Sequence, residues 1–182
     1  MKRKQLVKAQ YHELSNGVYL DGEIKIFERQ DVLGVITIMM PTDFFEMPTA
    51  YAQIKYPSSF RPDFILTHPS MSMTLCFNLF LSNLVETSSE EFATQMKEIL
   101  LTEAVGLNFS EIQQIEVDKE HGYWFEFRSH GMDEDIYNMM LVIKIKNHIL
   151  QVIFNCPLSE QLNWKPVVLQ IWESIEEKEE DA

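Results

Sequence analysis

Residues Ile136–Pro157 read IYNMMLVIKIKNHILQVIFNCP, and this stretch decides the fold. Two β-rich runs, Ile136 to Lys146 and Ile149 to Asn155, flank Asn147-His148. A two-residue turn there predicts an antiparallel hairpin with Ile145 opposite Leu150, Ile143 opposite Val152, Leu141 opposite Phe154 and Lys144 opposite Gln151. One face of that hairpin is wholly apolar and the other mixed. Upstream, Tyr123 to Arg128 (YWFEFR) turns through Gly131. It extends the apolar face, with Tyr123, Phe125 and Phe127 opposite Leu141, Met139 and Tyr137. Trp124, Glu126 and Arg128 then share the mixed face with Met140, Asn138 and Ile136 opposite them.

The same reasoning predicts strands at Tyr19–Phe27, Gly34–Met40, Tyr51–Tyr56, Phe64–Thr67, Met71–Leu81 and Ile112–Val117. MPTDFFEMP is a turn between the second and third of these. A helix starts after Ser88, which forms a capping box with Glu91. It turns Phe92, Met96, Ile99, Leu100 and Ala104 to one face and closes at Gly106. A last helix runs from near Trp164 to Ile175, burying Trp164, Val167, Val168, Ile171 and Ile175, with Pro166 in its first turn. Many antiparallel strands with helices in series make the chain α+β.

Taken in order, the strand before MMPTDFFEMP, IKYPSSFRPDFILTH, CFNLFL, the long helix, YWFEFRS, IYNMMLVIKIKNHILQVIFNCP and the final helix ending WESI resemble the PsbP-like superfamily. Its branches include the photosystem subunit, the Ran-binding Mog proteins and bacterial DcrB-like proteins. The resemblance implies an α/β/α sandwich, a twisted antiparallel sheet of six to seven strands with helices packed on it, and no enzymatic activity. It also implies a bacterial cytosolic branch, some of whose relatives act as chaperones for secreted effectors.

The 182 residues hold 15 Lys+Arg against 28 Asp+Glu, a net charge of −13. That balance argues against nucleic acid and anionic membrane as partners, because both are held by clustered cations. No apolar run reaches the roughly 18 residues a membrane span needs. Lys2, Arg3 and Lys4 are not followed by an apolar signal core, so a cytoplasmic protein is expected. The chain divides into a loose basic leader (1–16), one domain (17–176) and an acidic tail (177–182).

Chemical motifs are sparse. His12, His68, His121, His130 and His148 never fall as HxH or HExxH. Asp133, Glu134 and Asp135 lack the glycine a calcium loop needs at its sixth position. Cys76 and Cys156 have no neighbouring cation in sequence and read as inert, reduced thiols. No cofactor, metal site or catalytic residue is expected. Two binding candidates stand out. One is the mixed sheet face, Trp124, Glu126, Arg128 and Asn138; its alternative is an internal Glu126–Arg128 ion pair with Trp124 packed under a helix. The other is the cationic loop of Lys55 and Arg61, whose alternative is a rigid Pro-bounded connection. Seven of the ten methionines, Met39, Met40, Met71, Met73, Met96, Met139 and Met140, fall mostly on expected core faces, where thioethers fill gaps or accommodate varied apolar partners. The expected function is a non-catalytic protein-binding module, adaptor or chaperone-like. A small apolar-ligand binder, or an enzyme whose site only folding assembles, is the alternative.

Overall fold

A computed structural model describes residues 2–59, 61–81, 87–103, 108–131 and 133–179. Its centre is the expected hairpin, β11 (Ile136–Ile145) against β12 (His148–Pro157). In the numbering used below, the earlier strands are β1 (His12–Glu13), β2 (Gly17–Leu20), β3 (Glu23–Lys25), β4 (Phe27–Val32), β5 (Ile36–Pro41), β6 (Phe45–Glu46), β7 (Phe64–Thr67), β8 (Thr74–Leu81), β9 (Gln113–Val117) and β10 (Glu120–Ser129). The chain ends with β13 (Glu176–Glu177), and the helices are α1 (Lys2–Gln10), α2 (Thr49–Lys55), α3 (Ser89–Glu103) and α4 (Gln161–Glu173).

Seven strands form one antiparallel sheet in the order β6-β7-β8-β12-β11-β10-β9. Two smaller sheets, β1-β2-β3 and β13-β5-β4, complete an α+β fold. Both faces of the large sheet are covered. Leu75, Phe77, Leu141, Ile143, Leu150, Val152 and Phe154 pack against α4 and the inner side of β4 and β5 in one core. On the other face, Phe92 and Ala93 of α3 meet Val142 and Ile149, and Ala52 of α2 meets Ile65 and Cys76.

The β11–β12 turn is at Lys146-Asn147, one residue earlier than expected, and Lys146 takes a φ of +51°. Leu141 therefore faces Val152 and Ile143 faces Leu150. The register moves by two, which leaves every side chain on its expected face.

The β10–β11 pairing moves by one, and that exchanges the faces. Trp124 stands opposite Leu141, Glu126 opposite Met139 and Arg128 opposite Tyr137. These residues lie on the α4 side, while Phe125 and Phe127 turn toward α3 with Met140. The cause is that both alternations of YWFEFR are rich in apolar groups. With a core on each side of the sheet, hydrophobic pattern alone does not choose the register. Packing does: a Cβ on Gly122 would come within 2.8 Å of Leu141 Cδ1 and 3.0 Å of Ile115 Cγ2, so glycine there lets three strands close up.

Other expectations are also revised. Tyr19–Phe27 is a hairpin, because Asp21-Gly22 turns the chain with φ of +50° and +94°. Tyr51–Tyr56 lies mostly in helix α2, entered from Pro48. The Met71–Leu81 strand starts only at Thr74, since Met71 has a φ of +60°. Ser88 and Glu91 do form the capping box, Ser88 N–H to Glu91 Oε2 at 2.9 Å and Glu91 N–H to Ser88 Oγ at 3.2 Å. Ile99 faces solvent, and the expected closure at Ala104 and Gly106 lies outside the described residues. Pro166 sits in the sixth position of α4, beyond its first turn, on an exposed side. The stretch read as a loose leader holds α1 and β1, and Glu177, read as tail, pairs with Ile36; residues 180–182 lie outside the described residues. Among the described residues, no helix is long and apolar enough to cross a membrane.

Candidate functional site

Strand β10 carries Trp124, Glu126 and Arg128 on one face, and the cover supplied by α4 runs out along it. Trp124 is 4% exposed and meets Trp172 edge to face, with centroids 6.1 Å apart. Glu126 is half-buried. Arg128 reaches solvent.

The Glu126 carboxylate is held from two sides. Tyr137 donates its hydroxyl in a short hydrogen bond, and Lys165 Nζ lies 3.0 Å from Oε1 and 2.8 Å from Oε2. Lys165 Nζ also sits 5.5 Å above the Trp124 ring. Burial, and then the carboxylate it serves, push the Tyr137 phenol well above its usual range. The alternative, a Glu126–Arg128 ion pair, is absent, and the Arg128 guanidinium has no hydrogen-bond or ion-pair partner among the described residues.

An open cleft of about 280 Å³ lies here, lined by Phe109, Glu126, Phe127, Arg128, Tyr137 and Gln161 among others. Its near wall is pinned to β10: Ser110 N–H donates to the Glu126 carbonyl at 2.9 Å, and Ser110 Oγ accepts Glu126 N–H at 3.0 Å. Phe109 stacks on Phe127 with centroids 5.1 Å apart and planes 17° apart.

The structure therefore separates the expected patch. Glu126 and Arg128 share the cleft, Trp124 lies buried beside them, and Asn138 is on the opposite face. Asn138 Nδ2 donates to Ser129 Oγ at 2.9 Å and to the Ile136 carbonyl at 3.2 Å, which makes it a buried strap. Trp124 is in no position to anchor a partner.

Lys55 and Arg61 are occupied with backbone carbonyls, Lys55 in the turn before β8 and Arg61 in its own loop. Lys55 Nζ donates to the Met71 carbonyl at 3.0 Å and Arg61 Nε to the Tyr56 carbonyl at 3.0 Å. Burial lowers the Lys55 ammonium and raises the Tyr56 phenol. Between them the Tyr56 hydroxyl meets Thr74 Oγ1 at 3.0 Å and Cys76 Sγ at 3.3 Å. Burial raises the Cys76 thiol and pushes Cys156 up to about 12, which favours protonated, unreactive sulfur.

Sequence reading missed Tyr137, Lys165, Gln161 and Phe109 as members of one site. They come from three separate segments, the stretch before β9, β11 and α4; local spacing joins only Gln161 and Lys165, four apart on α4. It also missed an array around His68. Ser70 N–H donates to His68 Nδ1 at 3.1 Å, which makes that nitrogen an acceptor, and Ser70 Oγ lies 2.7 Å from it. His68 Nε2 faces Asp43 Oδ2 at 3.7 Å, too far for proton transfer, and that oxygen already takes Lys25 Nζ at 2.7 Å. The array caps the turn leading into β8. Among the described residues, no group of three or more His, Cys, Asp or Glu converges as metal ligands would.

No family model matches the chain, and no curated protein sequence does. Solved structures do. The solution structure of cyanobacterial PsbP (CyanoP) from Synechocystis sp. PCC 6803 superposes with a TM-score of 0.62 at 10% identity, covering 89% of this chain and 98% of that one. LpqN of Mycobacterium tuberculosis, described as involved in cell envelope biogenesis, gives 0.55 at 13% identity, over 84% and 92% of the two chains. PA94 of Pseudomonas aeruginosa, a protein of unknown function, gives 0.53 at 8%, over 85% and 99%. The chain has the PsbP-like fold, spanning nearly the full length of these three. At such identities the likeness concerns the fold alone.

Proposed function

We propose that the chain is a cytoplasmic, non-catalytic protein-binding module and that the cleft beside Arg128 is its docking site. One observation carries this reading: the cleft presents a guanidinium with no partner among the described residues, beside a preformed aromatic stack. Glu126, the acidic group in the same cleft, has its charge answered internally by Lys165 and Tyr137. The lining is thus held in place before any partner arrives, which lowers the ordering cost of binding. Because the cleft opens to solvent along a sheet edge, it suits a passing chain segment better than an enclosed small molecule.

The test is a photo-reactive amino acid placed in turn at the exposed lining residue Asn108, at Gln161 and, as a control outside the cleft, at the exposed Glu28. Irradiation in cells should give discrete protein adducts from the two cleft positions and none from Glu28. No adducts from the cleft, or one pattern from all three sites, would refute the assignment.

A further inference from the structure

We infer that the segment this cleft takes carries a carboxylate next to an apolar side chain, the carboxylate on Arg128 and the apolar group against Phe109 and Phe127. This rests on the cleft being the docking site. The chemistry follows from what each lining group has left to offer. Lys165 spends its charge on Glu126, within 3.0 Å of both carboxylate oxygens, and the pair cancels. The Tyr137 hydroxyl donates its proton to the same carboxylate. The Gln161 side chain is turned to the Tyr137 hydroxyl. What remains among the described lining residues is one cation, Arg128.

A lone guanidinium is a planar fork that matches one carboxylate bidentately. With Lys165 engaged, the described lining residues hold no second cation to meet a phosphate dianion. The Phe109–Phe127 stack borders the same space, which places an apolar contact next to the charged one. The rest of the molecule sharpens the choice. At a net charge of −13 its surface repels acidic segments almost everywhere, so an acidic segment is accepted here and turned away elsewhere. A basic segment would meet the opposite conditions: attraction over the general surface and repulsion at Arg128.

The experiment is selection of random seven-residue peptides on the full chain, followed by affinity measurements on the enriched peptides with wild type, Arg128→Lys and Arg128→Glu. Since Arg128 has no partner among the described residues, the variants should keep the wild-type thermal midpoint. The expected result is enrichment of Asp or Glu beside a large apolar residue, with affinity reduced in Arg128→Lys and lost by roughly tenfold or more in Arg128→Glu. Acidic peptides that bind Arg128→Glu as well as wild type would overturn the proposal. Basic or uncharged enriched peptides that cross-link at Asn108 or Gln161 would overturn it while leaving the docking site in place. If no peptide is enriched, both the carboxylate assignment and the docking reading fall.

Discussion

Lys165 reaches over the indole of Trp124, 5.5 Å from its centroid, on the way to the Glu126 carboxylate. The lysine stem and α4 thereby seal the indole into the core, next to Trp172. Trp124→Ala should cost about 3–5 kcal/mol of stability, the range for an aromatic deleted from a packed interior. Urea denaturation checks it. A cost under about 1 kcal/mol would mean that the indole is not packed as described.

The Glu126–Lys165 pair is partly exposed, with side-chain exposures of 21% and 33%. Its coupling should therefore be modest, about 1 kcal/mol in a double-mutant cycle of Glu126→Gln and Lys165→Met. Salt should weaken it. Coupling indistinguishable from zero at low salt would mean that Tyr137 alone holds the carboxylate.

Gly122→Ala should destabilise by about 1–3 kcal/mol, because the added methyl meets Leu141 and Ile115 at 2.8 and 3.0 Å in a closed layer. Thermal unfolding of the variant tests the β10 register directly. A neutral result would contradict it.

Ser88→Ala should remove one half of the capping box and cost about 1 kcal/mol. Amide exchange in the first turn of α3 should quicken. Unchanged exchange there would argue that packing of Phe92, and not the cap, sets the start of the helix.

Alkaline pH should destabilise the fold. The Cys156 thiol is raised from its ordinary 9.0 to about 12 by burial and then by the nearby Glu160 and Glu134, and Tyr56, Tyr137 and Cys76 are all raised too. For each, the folded state keeps a proton that the unfolded chain has already lost. The stability they lend is therefore complete below their ordinary values and drains away as pH climbs toward the folded ones. Denaturant midpoints should fall between pH 9 and 12, less steeply in Cys156→Ala. Equal slopes in the two proteins would remove Cys156 from the account.

Much of this architecture was legible in the residues, and the failures have physical causes. The capping box of Ser88 and Glu91 is local, and so is the apolar face Trp164, Val167, Val168, Ile171 of the last helix; both are found, though the helix ends at Glu173 and Ile175 joins the core from beyond it. The Asp21-Gly22 hairpin was equally local and was passed over in favour of the β-rich residues around it. The β10 register was not legible, because Tyr123, Phe125 and Phe127 compete with Trp124 for the description of inward face and the fold buries both. That single slip decides the site. It carries Asn138 away from Glu126 and leaves Tyr137 beside it. Lys165 joins from 39 positions along the chain, a distance over which pattern holds no information.

The pairing of β8 with β12 brings Asn78 to Gln151, 2.8 Å between side chains that lie 73 positions apart. During synthesis β8 leaves the ribosome with Leu75 and Phe77 ready for burial, while the strand that will cover its open edge has yet to be made. Closure of such a distant pair is slow compared with helix formation, because the intervening loop must be drawn in before any contact rewards it. The nascent chain is consequently committed to an interval in which an apolar strand edge stands unpaired, and its exposure to aggregation is set by translation time as much as by the stability of the finished sheet.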